Sequence, residues 1–248
     1  MEQNPGACQS NIALSRRRFL GTTGVAAAAG LFAFAQGRGL ARAQALTKEE
    51  RDKITPDEII ARGKRGNERF RSGKHKERDF LREQRNTAKG QHPAAIVLSC
   101  IDSRAPVELI LDLGIGDTFT SRVAGNIANE DILGSMEYAC AVAGSKLVLV
   151  MGHTACGAIK GAIDKVQLGN LTGLLEKIRP AIEATQYDGA RVSTNAAFVT
   201  AVARKNVELT MAGIRVGSSV LKDLEDEGRI KIAGAMYHLD TAVVEFLS

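Results

Sequence analysis

The chain has 248 residues, 44% hydrophobic and 25% charged, which suits one globular domain with a full core and excludes collagen-like, disordered and disulfide-stapled miniprotein classes. Tryptophan is absent and aromatic residues are only 4%, too few rings for a surface that stacks single-stranded nucleic acid. The net charge of +5 arises at the front, where residues 1–43 hold five arginines against Glu2; elsewhere 28 basic and 27 acidic residues nearly cancel, so no nucleic-acid partner is expected.

Residues 15–20 (SRRRFL) lead into a weakly apolar stretch over 21–35 and then into small-x-small sites at 41–43 and 43–45, the order of parts in a secretory leader. The arginine pair followed by Phe19-Leu20 resembles a bacterial twin-arginine export signal. The apolar run falls short of the ~20 residues that span a bilayer, so an uncleaved anchor is the weaker alternative. Residues 1–45 are therefore expected to be removed, after Ala43 or Ala45, giving a periplasmic or secreted product with no stable membrane association.

Residues 46–92 are expected to form an N-terminal helical arm. Thr55-Pro56 is a cap followed by a first-turn proline, and Ile59, Ile60, Asn67 and Phe70 recur at helical spacing. The arm has little core of its own and must lie on another surface, of its own domain or of a partner. Its Arg-rich residues 62–85 read as a solvated helical face.

From residue 93 to 248 the texture changes to that of an α/β domain. Apolar runs at 94–99 (AAIVLS) and 146–151 (KLVLVM) have the continuous hydrophobicity of buried parallel strands. Further strands are expected over 118–123, 229–237 and 241–247, the last as an edge strand or hairpin partner. Helical patterns occupy 105–113, 129–143, 157–166, 171–185 and 193–212. The alternation predicts an α/β fold: an open, mainly parallel central sheet of four parallel strands plus an edge strand, flanked by helices. Gly114-Ile115-Gly116 is followed by strand-like residues, so it is a turn and not a dinucleotide fingerprint.

Cys100 and His153 each end a predicted strand, and Cys156 follows His153 by three residues at a helix start. Ligands of open α/β sheets bind at the carboxyl ends of the strands. Two thiolates and an imidazole are the donors zinc prefers, and three protein ligands with a vacant fourth position mark a catalytic metal, one per chain. The unpaired amides at the helix start are expected to lower the pKa of Cys156. Asp102 lies on the same side as Cys100, and Arg104 can clamp it through paired hydrogen bonds. Such a carboxylate orients a metal-activated water, while the arginine keeps it ionised and off the metal; only in a closed form would Asp102 itself become the fourth ligand. Of the three cysteines beyond residue 45, Cys140 reads as a small buried hydrophobe.

Cys100-Ile101-Asp102-Ser103-Arg104, followed by Gly152-His153-Thr154-Ala155-Cys156-Gly157, resembles the paired signature of the β-class carbonic anhydrases over most of residues 50–248. Gln91, Phe119, Tyr138 and the segment Arg122-Val123-Ala124-Gly125-Asn126 are similar to the plant-type branch, which usually carries Arg-Asn where Arg122-Val123 stands. The resemblance implies reversible hydration of carbon dioxide to bicarbonate and a proton by hydroxide formed on zinc. It implies that Gln91 donates to bound substrate, that Gly157 belongs to the substrate site, and that Phe119 and Tyr138 wall the pocket of a partner subunit, making a homodimer the smallest active unit. His92, beside Gln91, is a weaker candidate for proton transfer.

Two alternatives carry weight. One is hydrolysis of carbonyl sulfide or carbon disulfide on the same site; the other is a catalytically silent zinc-binding module, for which the Asp102–Arg104 pair would serve no purpose. Two thiolates donate more charge to zinc than neutral imidazoles do. Activity measured by stopped flow is therefore expected to rise into the alkaline range, above the ~7 typical of an all-histidine zinc water. A flat profile across neutral pH would count against the two-thiolate site.

Overall fold

The computed structural model describes residues 45–247, so the expected leader over residues 1–45 lies, all but Ala45, outside the described residues. The arm comprises α1 (Lys48–Lys53), α2 (Pro56–Arg71) and α3 (Phe80–Thr87). Each starts on a side-chain cap: Thr47 and Glu50 form a reciprocal capping box, Thr55 accepts from Glu58 N–H with Pro56 behind it, and Asp79 accepts from Arg82 N–H. There follow β1 (Ala95–Ser99), α4 (Val107–Ile110), β2 (Thr118–Arg122), a 3-10 turn at Ala124–Asn126 and α5 (Glu130–Glu137), which continues into a π turn at Tyr138–Val142. Next come β3 (Leu147–His153), α6 (Gly157–Ile163), α7 (Gly169–Glu176), α8 (Arg179–Ala184), α9 (Ala196–Gly217), α10 (Ser219–Asp226), β4 (Lys231–Tyr237) and β5 (Val244–Leu247).

The five strands form one sheet in the order β2-β1-β3-β4-β5, with every neighbour parallel except the antiparallel β4–β5 pair. Period-2 alternation sorts the strand residues onto two buried faces. Ile96, Leu98, Val148, Val150, Ile232 and Met236 meet Phe198, Val202 and Val207 of the 22-residue α9. Ala95, Val97, Leu149, Met151 and Ala235 face Ile54, Ile59 and Ile110 of the arm and α4. Burial on both faces explains why β1 and β3 read as unbroken apolar runs.

Several expected elements change in length for identifiable reasons. The helix expected over 171–185 divides into α7 and α8, because Pro180 lacks an N–H and crowds the carbonyl four residues back. The helix expected over 105–113 shrinks to the single turn of α4, which Asp112 ends at a φ of 50°. Helix α10, capped by Ser218 and burying Leu221 and Leu224, was not expected from the sequence, although those two leucines recur at helical spacing.

The arm lies on its own domain. Asn67 donates to the carbonyls of Ile110 and Ala242 and accepts from Val244 N–H, so one buried amide ties α2 to α4 and to β5. The reading of residues 62–85 as a solvated face needs correction. Arg78, with its side chain 5% exposed, pairs with Glu83 and Asp117, and Arg69 pairs with the buried Asp112. Arginines at those positions turn inward because the turn between α4 and β2 offers them buried carboxylates.

Gly66 sets the closeness of that packing, since a Cβ there would lie 1.9 Å from the Leu111 carbonyl oxygen. Gly66→Ala is expected to destabilise the protein by about 2–3 kcal/mol in denaturant titration. Gly213→Ala, in α9 with nothing near its added methyl, should gain about 0.5–1 kcal/mol. Equal effects at the two sites would show that helix propensity and not contact governs Gly66.

Candidate metal centre

Parallel pairing aligns Ser99 of β1 with Met151 of β3, so Cys100 and His153 leave the sheet side by side at its carboxyl end. The chain then turns through Ala155, at a φ of 54°, and brings Cys156 back as the N-cap of α6. The metal-binding atoms of Cys100, His153 and Cys156 all lie within 4.8 Å of one another, on residues exposed by 4% or less.

The donor chemistry fits zinc. The His153 Nδ1–H donates to the Thr154 carbonyl at 2.9 Å, which leaves the lone pair on Nε2, a buried atom with no hydrogen-bond partner. The two sulfurs are 3.9 Å apart, close to the ~3.8 Å that two 2.3 Å zinc–sulfur bonds would span at a tetrahedral angle. Gly125, at a φ of 70° in the 3-10 turn, donates its N–H to Cys100 Sγ at 3.4 Å, and Asn206 of α9 holds the Gly125 carbonyl at 2.7 Å.

Without a cation the two thiols share a proton. The Cys156 hydrogen bond pulls Cys100 down to about 4, and the same bond, with burial, pushes Cys156 above its ordinary value. This corrects the expectation for Cys156: the amides of Ala158 and Ile159 do favour its thiolate, but the neighbouring Cys100 outweighs them. Burial opposes protonation of His153, yet the Cys100 thiolate, the Thr154 carbonyl and the Asp102 carboxylate together outweigh it and raise its pKa. A divalent cation resolves this competition by accepting all three donors.

Asp102 and Arg104 form the expected clamp. Arg104 Nε donates to Asp102 Oδ1 at 3.0 Å and Nη2 to Oδ2 at 2.8 Å, while the Arg104 amide adds a third bond at 2.9 Å. These bonds, the guanidinium's first, hold the Asp102 carboxyl down to about 2. Its Oδ2 stands 3.8 Å from His153 Nε2, beside the metal position. Arg122 braces this loop, its guanidinium donating to the carbonyls of Cys100 at 2.9 Å and Asp102 at 2.6 Å. Arg122, Gly125 and Asn206 were not assigned these supporting roles from sequence; the only local signal was the strand-end position of Arg122.

The remaining expected site residues divide. Gly157 opens α6 directly after Cys156. Phe119 and Tyr138 pack edge to face, with ring centres 6.1 Å apart, on the outer side of the sheet along β2. Phe119 is level with Ile96, four residues and about 13 Å short of Cys100 along the strand direction. Gln91 and His92 precede β1, at its opposite end from Cys100. Cys140 is a buried thiol whose pKa burial pushes up to about 12, as a plain core residue's should be.

Comparison with known proteins decides the family. Residues 95–244 match the carbonic anhydrase family model. The chain belongs to the carbonic anhydrase family. Carbonic anhydrase 2 of Mycobacterium tuberculosis is 33% identical over 183 residues, spanning 71% of this chain and 86% of the relative. A carbonic anhydrase of Mycolicibacterium smegmatis is also 33% identical, over 75% of this chain and 90% of its own. Among solved structures, a tetrameric β-carbonic anhydrase of Sordaria macrospora shares the fold with a TM-score of 0.59 at 24% identity, covering 66% of this chain and 85% of that one. The Coccomyxa β-carbonic anhydrase does so at 0.59 and 21%, covering 77% and 80%.

Zinc is expected at about one per chain after gel filtration, measured by elemental mass spectrometry. Cys100→Ser and Cys156→Ser should lose most of it, and Cys140→Ser should keep it. Loss in Cys140→Ser alone would place the metal elsewhere.

Proposed function

We propose that this chain is an exported, zinc-dependent carbonic anhydrase that interconverts carbon dioxide and bicarbonate. The observation that carries the reading is the bidentate Asp102–Arg104 pair held beside the Cys100–His153–Cys156 cluster. Zinc bound by Cys100 Sγ, Cys156 Sγ and His153 Nε2 supplies the Lewis acidity that makes water nucleophilic near neutral pH.

The chain's own groups do the rest. Asp102 stays ionised at working pH and accepts a hydrogen bond from the attacking water, aiming the water oxygen's lone pair at the carbon of carbon dioxide. Arg104 occupies both carboxylate oxygens, which keeps Asp102 from becoming a metal ligand. Arg122 fixes the loop carrying this pair, and the Gly125 amide stabilises negative charge on Cys100. Gly157, next to Cys156, borders the substrate space.

The plant-type assignment and a homodimer as the active unit belong together. Phe119 and Tyr138 lie along the β2 edge and Gln91 at the far end of β1, positions from which they serve another subunit's metal centre and not their own. In that arrangement Gln91 donates to bound bicarbonate while the two rings exclude water. The tetrameric state of the Sordaria relative supports assembly of this kind. The arginine pair, apolar stretch and small-x-small sites of residues 1–45 support export to the periplasm. Among the described residues no helix is long and apolar enough to cross a membrane.

Stopped-flow hydration of carbon dioxide by the zinc-loaded protein tests the reading. Asp102→Ala should lower kcat by about 10–100-fold with zinc retained, as expected for a group acting beside a metal. Unchanged turnover would remove the role given to Asp102. Full zinc without hydration, with turnover of carbonyl sulfide, would reassign the substrate.

A further inference from the structure

Helix α9 buries one stripe of side chains, among them Val199, Val202, Asn206, Thr210 and Ile214. Asn206 stands in the middle of that stripe at 3% exposure, where an amide is unfavourable unless it is hydrogen-bonded. Among the described residues its side chain bonds one group, the Gly125 carbonyl, which lies 81 residues back in the chain and 2.7 Å from Asn206 Nδ2.

Gly125 takes a left-handed conformation, with φ 70° and ψ 16°, and a Cβ there would lie 2.6 Å from Ile178 Cδ1. That conformation turns its N–H to Cys100 Sγ and its carbonyl to Asn206. The two bonds belong to different peptide units. The N–H is part of the Ala124–Gly125 peptide and the carbonyl part of the Gly125–Asn126 peptide, so Asn206 does not polarise the donor; it sets the orientation of the turn. The Gly125–Asn126 unit is pinned at its other end as well, because Asn126 N–H donates to the Val123 carbonyl at 2.9 Å. Val123 N–H in turn donates to the carbonyl of Ser99, the residue before Cys100, at 3.0 Å. Backbone bonds thus close the turn on β1, and one side chain ties it to α9.

We propose that Asn206 is a positioning residue for the metal centre: by fixing the Gly125 carbonyl it keeps the Gly125 N–H on Cys100 Sγ, which limits the charge that this sulfur donates to zinc. The inference rests on the zinc reading of the Cys100–His153–Cys156 cluster. A thiolate that accepts an N–H bond is a weaker donor and leaves its metal the stronger Lewis acid. Glycine has the widest backbone freedom of any residue, so a glycine amide aimed at a sulfur needs a hold from outside its own residue. Without the Asn206 bond the turn reorients and Cys100 loses its donor.

The test loads the protein with an NMR-active cadmium isotope, which thiolates and imidazole hold in place of zinc. Scalar coupling between the Gly125 amide proton and cadmium, carried along the N–H···S–metal path, reads the bond directly. The parent should show it. Asn206→Leu, of the same branched shape but with no donor, should lose it while still binding about one cadmium per chain. Thr210→Val, four residues on in the same buried stripe, should keep it. With cobalt in the site, Asn206→Leu should also move the sulfur-to-cobalt charge-transfer band to lower energy, since a thiolate without its N–H bond gives up an electron more readily. Hydrogen exchange in the parent decides the matter if Asn206→Leu does not fold: the Asn206 side-chain amide and the Gly125 amide should be protected to within about threefold of each other, because one opening frees both. The proposal fails if the cadmium-loaded parent shows no Gly125 coupling, if Asn206→Leu retains it, if Thr210→Val loses it too, or if Gly125 is protected about tenfold less than the Asn206 side chain. Coupling that is present in the parent and lost only in Asn206→Leu bears the role out even in a protein that does not hydrate carbon dioxide, so the fate of Asn206 and that of the proposed activity are read separately.

Discussion

The metal centre depends on the parallel pairing of β1 with β3, because the register that aligns Ser99 with Met151 delivers a sulfur and an imidazole to the same end of the sheet. A slip of one residue would send Cys100 to the other face, since strand side chains alternate. The register is held by burial on both faces, against α9 on one and the arm on the other. Within this framework the left-handed Ala155 returns Cys156 to the cluster in three residues. The site is therefore a property of the core, and loops supply only the parts that touch water and substrate.

Electrostatics at the cluster and at the dyad solve opposite problems. Two thiols at 3.9 Å in a buried setting cannot both be anionic alone, so the folded chain carries an internal conflict that a divalent cation removes. Metal binding there adds to folding free energy and does more than decorate a finished fold. Asp102 sits at the solvent edge of the same site and is kept anionic by an arginine that is itself more than half exposed. The carboxylate can therefore stay beside the metal without entering its coordination sphere.

Much of this was legible in the sequence where one local signal sufficed. The unbroken apolar runs marked β1 and β3, the cysteines and histidine at their ends marked the metal, and Asp102 with Arg104 two residues on marked the clamp. What the sequence concealed depends on distant partners. Arg122 and Gly125 support Cys100 only because β2 lies beside β1, and Asn206 reaches Gly125 only because α9 crosses that face. Arg69 and Arg78 looked like solvent-facing charges because Asp112 and Glu83, which bury them, follow in other elements. The inherent helix-start effect on Cys156 was real but was overruled by a sulfur 56 residues away in the chain.

The triple bonding of Asn67 has a consequence for the order in which the molecule is completed. Its partners include Ala242 and Val244, the latter 177 residues further along the chain. At a synthesis rate of about 5–20 residues per second, the arm emerges roughly 9–35 seconds before the strand that anchors it. The arm is thus among the first described segments made and among the last to be locked. Any factor that must reach the underside of the sheet during biogenesis has that interval in which to do so, before the C-terminal strand shuts the arm down.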